Sequence, residues 1–292
     1  MADRLTARFG EPPRLQDLVR AALAEDVGSC DVTTEATVSG ERRGIARVVA
    51  RATGVVAGLE AFAETYRQVD PDLVLELSLR DGAAVGDGDL VARSTGRYAS
   101  LLLAERTALN FLQRLSGIAT LAARFVAAVQ GTDARIVDTR KTTPGWRALE
   151  KAAVRSGGGL NHRMGLYDAY LIKENHVSGA GGLEAALAAA SRHDTRGLPI
   201  EIEVRSLAEV DAVLASSHRP DRVLCDNFDL TELARAVRRI KSVDEAPLVE
   251  ASGNVSLATA RAIAETGVDW ISVGALTHSA PALDLSCLID LE

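Results

Sequence analysis

Aromatic residues are scarce in this chain: Phe, Trp and Tyr together make up 4% of its 292 residues. A protein that binds single-stranded nucleic acid by stacking bases needs exposed aromatic rings, so the composition argues against that class. The formal net charge is −7, which repels DNA and anionic lipid over most of the surface. We therefore expect no nucleic-acid or membrane partner, and any anion-binding site must be a local cluster of basic residues.

Cysteine is rarer still. Cys30, Cys225 and Cys287 are far apart in the sequence and odd in number, which predicts reduced thiols in a cytoplasmic protein and not a disulfide framework. No Cys/His set has the spacing of a zinc site, so zinc is not expected. The N-terminus lacks the apolar core of a signal peptide, and no run of 18 apolar residues could span a membrane.

The signatures of the familiar nucleotide-binding folds are missing too, because no strand is followed by GxGxxG and no Walker A motif occurs. What is present is enough length for about two domains. In the first part, helical spacing predicts a helix over residues 15–27, and alternation predicts a half-buried strand over 73–79. A long helical pattern from Ser100 to Val129 is interrupted at Ser116-Gly117, and we place the domain boundary there.

The second part of the sequence has a different pattern, in which short apolar runs alternate with stretches of helical periodicity. Such βα units predict a parallel sheet. Both an α/β barrel with fewer than eight strands and a doubly wound sheet fit this number of units. The six predicted strands are ARIVD (134–138), YLIK (170–173), PIEIEV (199–204), DRVLC (221–225), PLVEA (247–251) and DWISV (269–273).

Polar residues follow or end these strands in register. The carboxyl ends of parallel strands meet at one edge, which carries the active site in barrels and ligand sites in open sheets. A single charge after a strand is usually a solvated turn, but a whole series at one edge predicts a site. The series comprises Asp138-Thr139-Arg140-Lys141, Lys173, Glu201 and Glu203, Asp226-Asn227, Ser252-Gly253-Asn254 and Gly274-Ala275.

The segment 138–176 is basic within an acidic chain, with seven Arg and Lys against four Asp and Glu. Three of the seven, Arg147, Lys151 and Arg155, recur every four residues and are expected to form a solvated helix face. The other four are Arg140, Lys141, Arg163 and Lys173. Arg pairs with carboxylates through two hydrogen bonds, and Lys serves phosphate as a point charge, so this cluster predicts a ligand with several negative charges.

The turns Ser252-Gly253-Asn254 and Val273-Gly274-Ala275 each join a strand to a helix. Backbone N–H groups at such turns form phosphate sites, and the last two βα loops of barrels commonly do so. Glu203 and Asp226 end neighbouring strands and predict carboxylates for ribose hydroxyls or for Mg²⁺, which prefers oxygen ligands and substrate phosphates.

Taken in order and spacing, these motifs resemble the quinolinate phosphoribosyltransferase family over nearly the whole chain. Trp146 and Ala152 depart from the family pattern, with no charged site residue lost. The motifs are AEDVGSCDVTT (24–34), GVVAGLE (54–60), ERTALNFLQRLSGIAT (105–120), DTRKTTPG (138–145), GGGLNHRMGLYD (157–168), LIKENH (171–176), IEVRSLAE (202–209), DNF (226–228), SGN (252–254) and VGALTHS (273–279).

The resemblance implies an α/β fold with an N-terminal α/β sandwich domain and an incomplete TIM-like α/β barrel. The implied bounds are 1–115 for the sandwich, 116–278 for the barrel, and 279–292 for a C-terminal segment that returns to the first domain. It also implies a homodimer and Mg²⁺ as cofactor. The implied reaction transfers phosphoribosyl from phosphoribosyl pyrophosphate to quinolinate with decarboxylation, which gives nicotinate mononucleotide for NAD.

The resemblance also assigns roles to residues. The catalytic residues are Lys141, Lys173, Glu203 and Asp226. Those for quinolinate are Thr139, Arg140, His162, Arg163 and Lys173, together with Arg106 from the other subunit. Those for phosphoribosyl and phosphate are Lys141, Glu203, Asp226, Ser252, Gly253, Asn254, Val273, Gly274, Ala275 and His278. Mg²⁺ is assigned to Glu203 and Asp226, directly or through water.

Three alternatives stay open on the sequence. One is a paralogue on the same scaffold, either a molybdenum-transport-associated protein or a phosphoribosyltransferase that uses nicotinate without decarboxylation. A second is a Schiff-base aldolase with Lys173 as its amine. A third is a non-catalytic phosphometabolite-binding protein, which would not need Glu203 and Asp226 beside anionic ligands.

Overall fold

The computed structural model describes residues 11–292, which form two compact units. The first unit contains residues 11–120, 143–157 and 280–292, and the second contains 121–142 and 158–279. None of the helices in the described range is long and apolar enough to cross a bilayer.

The first unit combines helices with an antiparallel sheet. Its helices are α1 (Leu15–Val27), α2 (Val32–Thr37), α3 (Leu59–Val69), α4 (Tyr98–Ala128), which continues into the second unit, and α5 (Arg147–Ser156). Its strands are β1 (Arg43–Ala50), β2 (Gly54–Val55), β3 (Val74–Leu77), β4 (Ala84–Val85), β5 (Leu90–Arg97) and β12 (Leu285–Leu291). The predicted helix over 15–27 is confirmed residue for residue.

Four of these strands form the main sheet, in the order β12-β1-β5-β3. Strand β1 alternates between faces, so Ala46, Val48 and Ala50 are buried in a core that also holds Phe62 and Tyr66. At the opposite edge, the predicted strand 73–79 forms the shorter strand β3, after which Ser78 still donates its backbone N–H to the carbonyl oxygen of Val91 at 3.0 Å. Its leucines are partly buried or exposed, which agrees with the prediction of a half-buried strand.

The long helix α4 runs without a break through Ser116-Gly117, so the predicted interruption is wrong. These small residues serve packing within the first unit. Ser116 Oγ accepts the backbone N–H of Ala57 at 3.0 Å, and a Cβ on Gly117 would lie 2.0 Å from the carbonyl oxygen of Pro281. Gly117 is therefore required by a close backbone approach, not by a helix end.

The predicted solvated face of α5 is also wrong at its centre. Arg155 is exposed, but the side chain of Lys151 is completely buried. The helix turns 100° per residue, so a four-residue repeat drifts around its axis, and the buried face takes in Glu150, Lys151 and Val154. Nearby, Trp146 stacks on Phe111 with ring centroids 4.6 Å apart, which gives this unusual residue a packing role.

The second unit contains a six-stranded parallel sheet. Its strands are β6 (Arg135–Val137), β7 (Tyr170–Ile172), β8 (Ile200–Val204), β9 (Arg222–Asp226), β10 (Leu248–Ser252) and β11 (Trp270–Ser272). Its helices are α6 (Glu174–Ala180), α7 (Leu183–His193), α8 (Leu207–Ala215), α9 (Leu230–Ile240), α10 (Leu257–Glu265) and α11 (Ala275–His278). All six predicted strands are confirmed.

The strand order, β6-β11-β10-β9-β8-β7, excludes the doubly wound alternative. The first strand of the unit lies beside the last, as in a barrel, and the sheet is open between β6 and β7. Alternation then decides which side chains face inward. In β8, Ile202 and Val204 are fully buried on one face, whereas Glu201 and Glu203 share the other. This is the incomplete α/β barrel that the family resemblance implied.

Candidate active site

A cavity of about 640 Å³ opens at the carboxyl ends of the barrel strands. Side chains at this edge come from several strands, so residues far apart in sequence converge there. Every predicted site residue of the second unit lines the cavity: Thr139, Arg140, Lys141, His162, Arg163, Lys173, Glu203, Asp226, Ser252, Gly253, Asn254, Val273, Gly274, Ala275 and His278.

Arg106 is the one predicted site residue that belongs to the first unit. It lies on α4 and its side chain is exposed. Its assignment to a site in a neighbouring subunit stays a prediction.

Two arginines form a strongly positive part of the cavity. Burial lowers the pKa of Arg163, and the positive charge of Arg140 lowers it further. Arg163 donates one hydrogen bond through its guanidinium, to the carbonyl oxygen of Ala169 at 3.1 Å, while its buried Nε has no partner among the described residues. Like charges held together with spare donors favour a bound anion.

A second group of charges lies at the ends of β7, β8 and β9. Lys173 Nζ donates to Glu203 Oε2 at 2.9 Å. Arg205 donates to Glu203 Oε1 at 3.1 Å, and its Nε lies 3.9 Å from Asp226 Oδ2. Arg205 also pairs with Glu174. One guanidinium thus pairs with three carboxylates, and two of them, Glu203 and Asp226, converge on a space that a single cation can reach.

The loop Ser252-Gly253-Asn254 is tied to the end of β9. Ser252 Oγ donates to Asp226 Oδ1 at 2.5 Å, and the backbone N–H of Asn227 donates to the Ser252 carbonyl oxygen at 2.9 Å. Asn227 has a φ of 59°, and its amide oxygen would lie 2.1 Å from a Cβ on Gly253. Glycine is required there because Gly253 itself has a φ of 93° and the Asn227 side chain fills the space.

The loop after β11 is joined to the basic segment after β6. Thr277 Oγ1 donates to the carbonyl oxygen of Lys141 at 2.7 Å. A Cβ on Gly274 would lie 3.0 Å from Lys141 Cδ and 3.2 Å from His278 Nε2. The absence of a side chain at Gly274 therefore lets Lys141 and His278 approach the same loop.

Below the cavity, inside the barrel, four charged or titratable side chains form a buried cluster. His162 Nε2 lies 2.9 Å from Glu201 Oε2 and 3.4 Å from Glu250 Oε2. Arg222 lies 3.3 and 3.6 Å from the same two oxygens, and its guanidinium stacks 3.5 Å from the ring centre of Trp270. We call His162, Glu201, Arg222 and Glu250 the buried charge cluster.

Burial lowers the pKa of His162, but the adjacent carboxylates of Glu201 and Glu250 outweigh it and raise the pKa to about 9. Burial, and then the charge of Glu250, raises the pKa of Glu201. The ligand-type atoms of His162, Glu201 and Glu250 lie within 4.8 Å of one another. The guanidinium of Arg222 already provides a cation for both carboxylates, so this group is an ion cluster and not a metal centre.

Several cavity residues received no role from the sequence, among them Arg205, Glu250 and Asn227. Arg205 follows β8 and resembles any solvated charge after a strand. Glu250 lies within an apolar strand, where only alternation shows that it faces inward. Asn227 had a signal that could have been used, since asparagine directly after a strand tolerates positive φ.

The chain is similar to known proteins over most of its length. The quinolinate phosphoribosyl transferase C-terminal domain matches residues 118–288, and the N-terminal domain of the same enzyme matches residues 31–116. The chain is 44% identical over 274 residues to the nicotinate-nucleotide pyrophosphorylase [carboxylating] of Mycobacterium leprae, which covers 92% of this chain and 95% of that protein. It is 42% identical over 267 residues to a probable nicotinate-nucleotide pyrophosphorylase [carboxylating] of Synechocystis, which covers 91% and 90%.

A solved structure agrees with these sequence matches. The nicotinate-nucleotide pyrophosphorylase of Francisella tularensis superposes with a TM-score of 0.90 at 37% identity, over 94% of this chain and 96% of that one. Both family domains and the fold therefore match over most of the length, with the strand-end motifs inside the matched ranges. The chain belongs to the quinolinate phosphoribosyltransferase family.

Proposed function

We propose that this protein is a pentosyltransferase that moves the phosphoribosyl group of phosphoribosyl pyrophosphate to quinolinate and releases CO₂. The products are nicotinate mononucleotide, CO₂ and pyrophosphate, in NAD biosynthesis. One observation carries the proposal beyond family membership: a single cavity holds a cationic half around Arg140 and Arg163 and a carboxylate half around Glu203 and Asp226. A dicarboxylate acceptor and a phosphorylated ribose donor need these two halves side by side.

Quinolinate is assigned to the cationic half. A pyridine dicarboxylate placed between Arg140 and Arg163 would relieve the repulsion that lowers the pKa of Arg163 and supply acceptors for its unpartnered Nε. Thr139, His162 and Lys173 line the same cavity and are assigned to this half. This half holds more cations than one carboxylate needs, which favours a dicarboxylate.

The donor is assigned to the other half. The loops Ser252–Asn254 and Val273–Ala275 offer backbone N–H groups to phosphate, and Lys141 and His278 approach the second loop across Gly274. Glu203 and Asp226 face the ribose. These assignments place the anomeric carbon of the donor between the carboxylates and the acceptor.

Glu203 and Asp226 also suit Mg²⁺, because carboxylate oxygens are its preferred protein ligands and because these two already share one cation, Arg205. Bound there with the donor, Mg²⁺ would neutralise charge on the pyrophosphate.

The reaction needs position and electrostatics more than proton transfer. The ring nitrogen lone pair forms a bond to the anomeric carbon as the carbon–oxygen bond to pyrophosphate breaks. Glu203 and Asp226 stabilise the positive charge on the ribose in that state, and Lys141 stabilises the departing pyrophosphate. The bond to the 2-carboxylate then breaks, CO₂ leaves, and the electron pair stays on the ring beside the positive nitrogen until solvent protonates it.

The proposal includes a homodimer in which Arg106 enters the partner's cavity. Two observations support it. Arg106 is exposed on α4, and the second carboxylate of a dicarboxylate acceptor can pair with a further arginine. The proposal also includes a cytoplasmic location, supported by three cysteines that are all free thiols.

The test measures CO₂ release from quinolinate labelled in its 2-carboxylate. Release is expected with phosphoribosyl pyrophosphate and Mg²⁺ together, and not when either is omitted. Release without the donor, or formation of a nucleotide that keeps the label, would contradict the proposal.

A further inference from the structure

The buried charge cluster lies one layer below the cavity, and strand alternation explains its position. In β8, Glu201 shares its face with Glu203, and in β10, Glu250 shares its face with Ser252. Glu203, Ser252 and Glu250 line the cavity, but Glu250, like Glu201, is almost completely buried. The cluster is therefore continuous with the active site, and its two glutamates are too deep for a substrate to be their ordinary partner.

Burying charged side chains inside a barrel raises the free energy of the folded protein. Removing two carboxylates from water costs several kcal/mol per ion, and apolar side chains of similar volume often give equal or greater stability. In the described chain, Glu201 Oε1 and both side-chain oxygens of Glu250 have no hydrogen-bond partner of good geometry. A role beyond stability explains why buried charges are placed here.

The contacts of His162 connect the cluster to the cavity. Its Nε2 faces Glu201 and Glu250. Its Nδ1 lies 2.7 Å from the backbone nitrogen of Arg163, which donates to it. The backbone N–H of His162 in turn donates to Asp138 at 2.9 Å. The imidazole is thus held at both nitrogens, and it holds the backbone from which the Arg163 side chain enters the cavity.

We propose that Glu201 and Glu250 are positioning residues for the acceptor site: they fix the His162 ring through Nε2, and Nδ1 of that ring fixes Arg163 beside Arg140. The acceptor in this statement is the dicarboxylate of the proposed function. The donor half, built on the loops after β10 and β11, does not depend on this chain of contacts.

The charges of the cluster fit this role. The guanidinium of Arg222 lies 3.3 and 3.6 Å from the carboxylates of Glu201 and Glu250 and offsets part of their negative charge. The same two oxygens face Nε2 of His162 at 2.9 and 3.4 Å, so the ring is held on this side by both glutamates.

Other charged groups also face His162 and take part in any pH dependence. Asp138 approaches from β6, Arg222 from β9, and Arg163 adjoins it in sequence. Asp138 is completely buried and also accepts from Asn161.

The test compares Glu201→Gln and Glu250→Gln with the wild-type enzyme by titration calorimetry, with quinolinate and phosphoribosyl pyrophosphate as separate ligands. Glutamine keeps the size and an acceptor oxygen but removes the charge. We expect the Kd for quinolinate to rise about 10- to 100-fold, because a small displacement of a contact group is costly, with the donor Kd within about twofold. Asp221→Asn is the matched control, since Asp221 accepts the amide of Ile200 at the opposite end of the sheet.

A second measurement is independent of substrate. In nitrogen-15 NMR spectra, the ring signals of His162, identified by their loss in His162→Gln, and the backbone amide signal of Arg163 should move together in both variants. Unchanged signals, or equal weakening of both ligands, would overturn the positioning role. If the wild-type enzyme bound no quinolinate, the proposed function would fail, and the NMR result would still decide whether the two glutamates fix His162 and Arg163.

Discussion

Lys173 Nζ lies 2.9 Å from Glu203 Oε2, so a cation assigned to the acceptor and a carboxylate assigned to the donor neutralise each other in the free protein. The pair joins the ends of adjacent strands β7 and β8, where the two halves of the cavity meet. The charges of the two halves are therefore coupled at this point in the free protein.

The cationic half predicts substrate choice. We expect quinolinate to be used and nicotinate to be used at least about 100-fold more slowly in kcat/KM, because a missing carboxylate leaves part of this cationic half without a partner. Initial rates of nucleotide formation with each pyridine, at saturating donor, measure the difference. Equal turnover of the two would mean that the second carboxylate is not recognised.

The carboxylate half predicts a donor-specific defect. In Asp226→Asn, we expect the KM for phosphoribosyl pyrophosphate to rise about 10- to 100-fold, the loss of one charged hydrogen-bonding group, and the Mg²⁺ requirement to increase. The Kd for quinolinate should change little. Asp221→Asn again serves as control, because Asp221 directly precedes strand β9 whereas Asp226 ends it. A defect confined to quinolinate binding would reverse the assignment of the two halves.

The proposed dimer predicts complementation. Arg106→Ala and Lys173→Ala homodimers should each be nearly inactive. If the two are unfolded, mixed and refolded, about half of the dimers are hybrids with one intact site and one site lacking both residues. Activity should return to about a quarter of wild type if subunits assort at random and sites act independently. No recovery, with hybrids confirmed by native mass spectrometry, would show that Arg106 does not act across an interface.

The buried charge cluster predicts the pH dependence of stability. The pKa of His162 is raised from its ordinary value of 6.5 to about 9. Its stabilising contribution is therefore complete below pH 6.5 and is lost as the pH rises toward 9. The raised pKa of Glu201 acts in the same direction, since burial of its ionised form becomes costlier at higher pH.

We expect the free energy of unfolding to fall by about 2 kcal/mol over this window, or roughly 4–8 °C in Tm. Scanning calorimetry of the wild-type protein and of His162→Gln measures it. The variant should show a flatter profile between pH 6.5 and 9, and parallel profiles would contradict the assignment of this dependence to His162.

Much of the fold could be predicted from the sequence because the barrel strands are buried apolar runs separated by helical periodicity. The predictions were wrong where a small or charged residue packs against a segment that is distant in the sequence. Gly117 resembles a helix break, but the carbonyl of Pro281 explains it. Lys151 resembles a solvated charge, although it is completely buried. In both cases, a local sequence pattern does not show which distant residues pack against the position.

Within the site, the strand-end residues were predictable because their chemistry and position coincide. The depth at which each charged side chain lies within the barrel could not be predicted from the sequence. Glu201 and Glu203 are two residues apart on one face of β8, and the sequence offers no reason to give them different surroundings. Strand register creates the difference, since Glu201 lies opposite Arg222 and Glu203 opposite Leu224 on the neighbouring strand.

The pairing of β12 with β1, from Gly44↔Leu291 to Ala50↔Leu285, sets the order in which a ribosome can complete the first unit. Strand β1 lies between β12 and β5, so after β5 emerges it still has a row of unpaired backbone groups. Its partner is synthesised roughly 240 residues after β1, about 12–50 s later at ordinary translation rates. Throughout that interval, the nascent chain presents an open β edge that could pair with another chain, and chaperones that shield such edges should associate with it until β12 emerges.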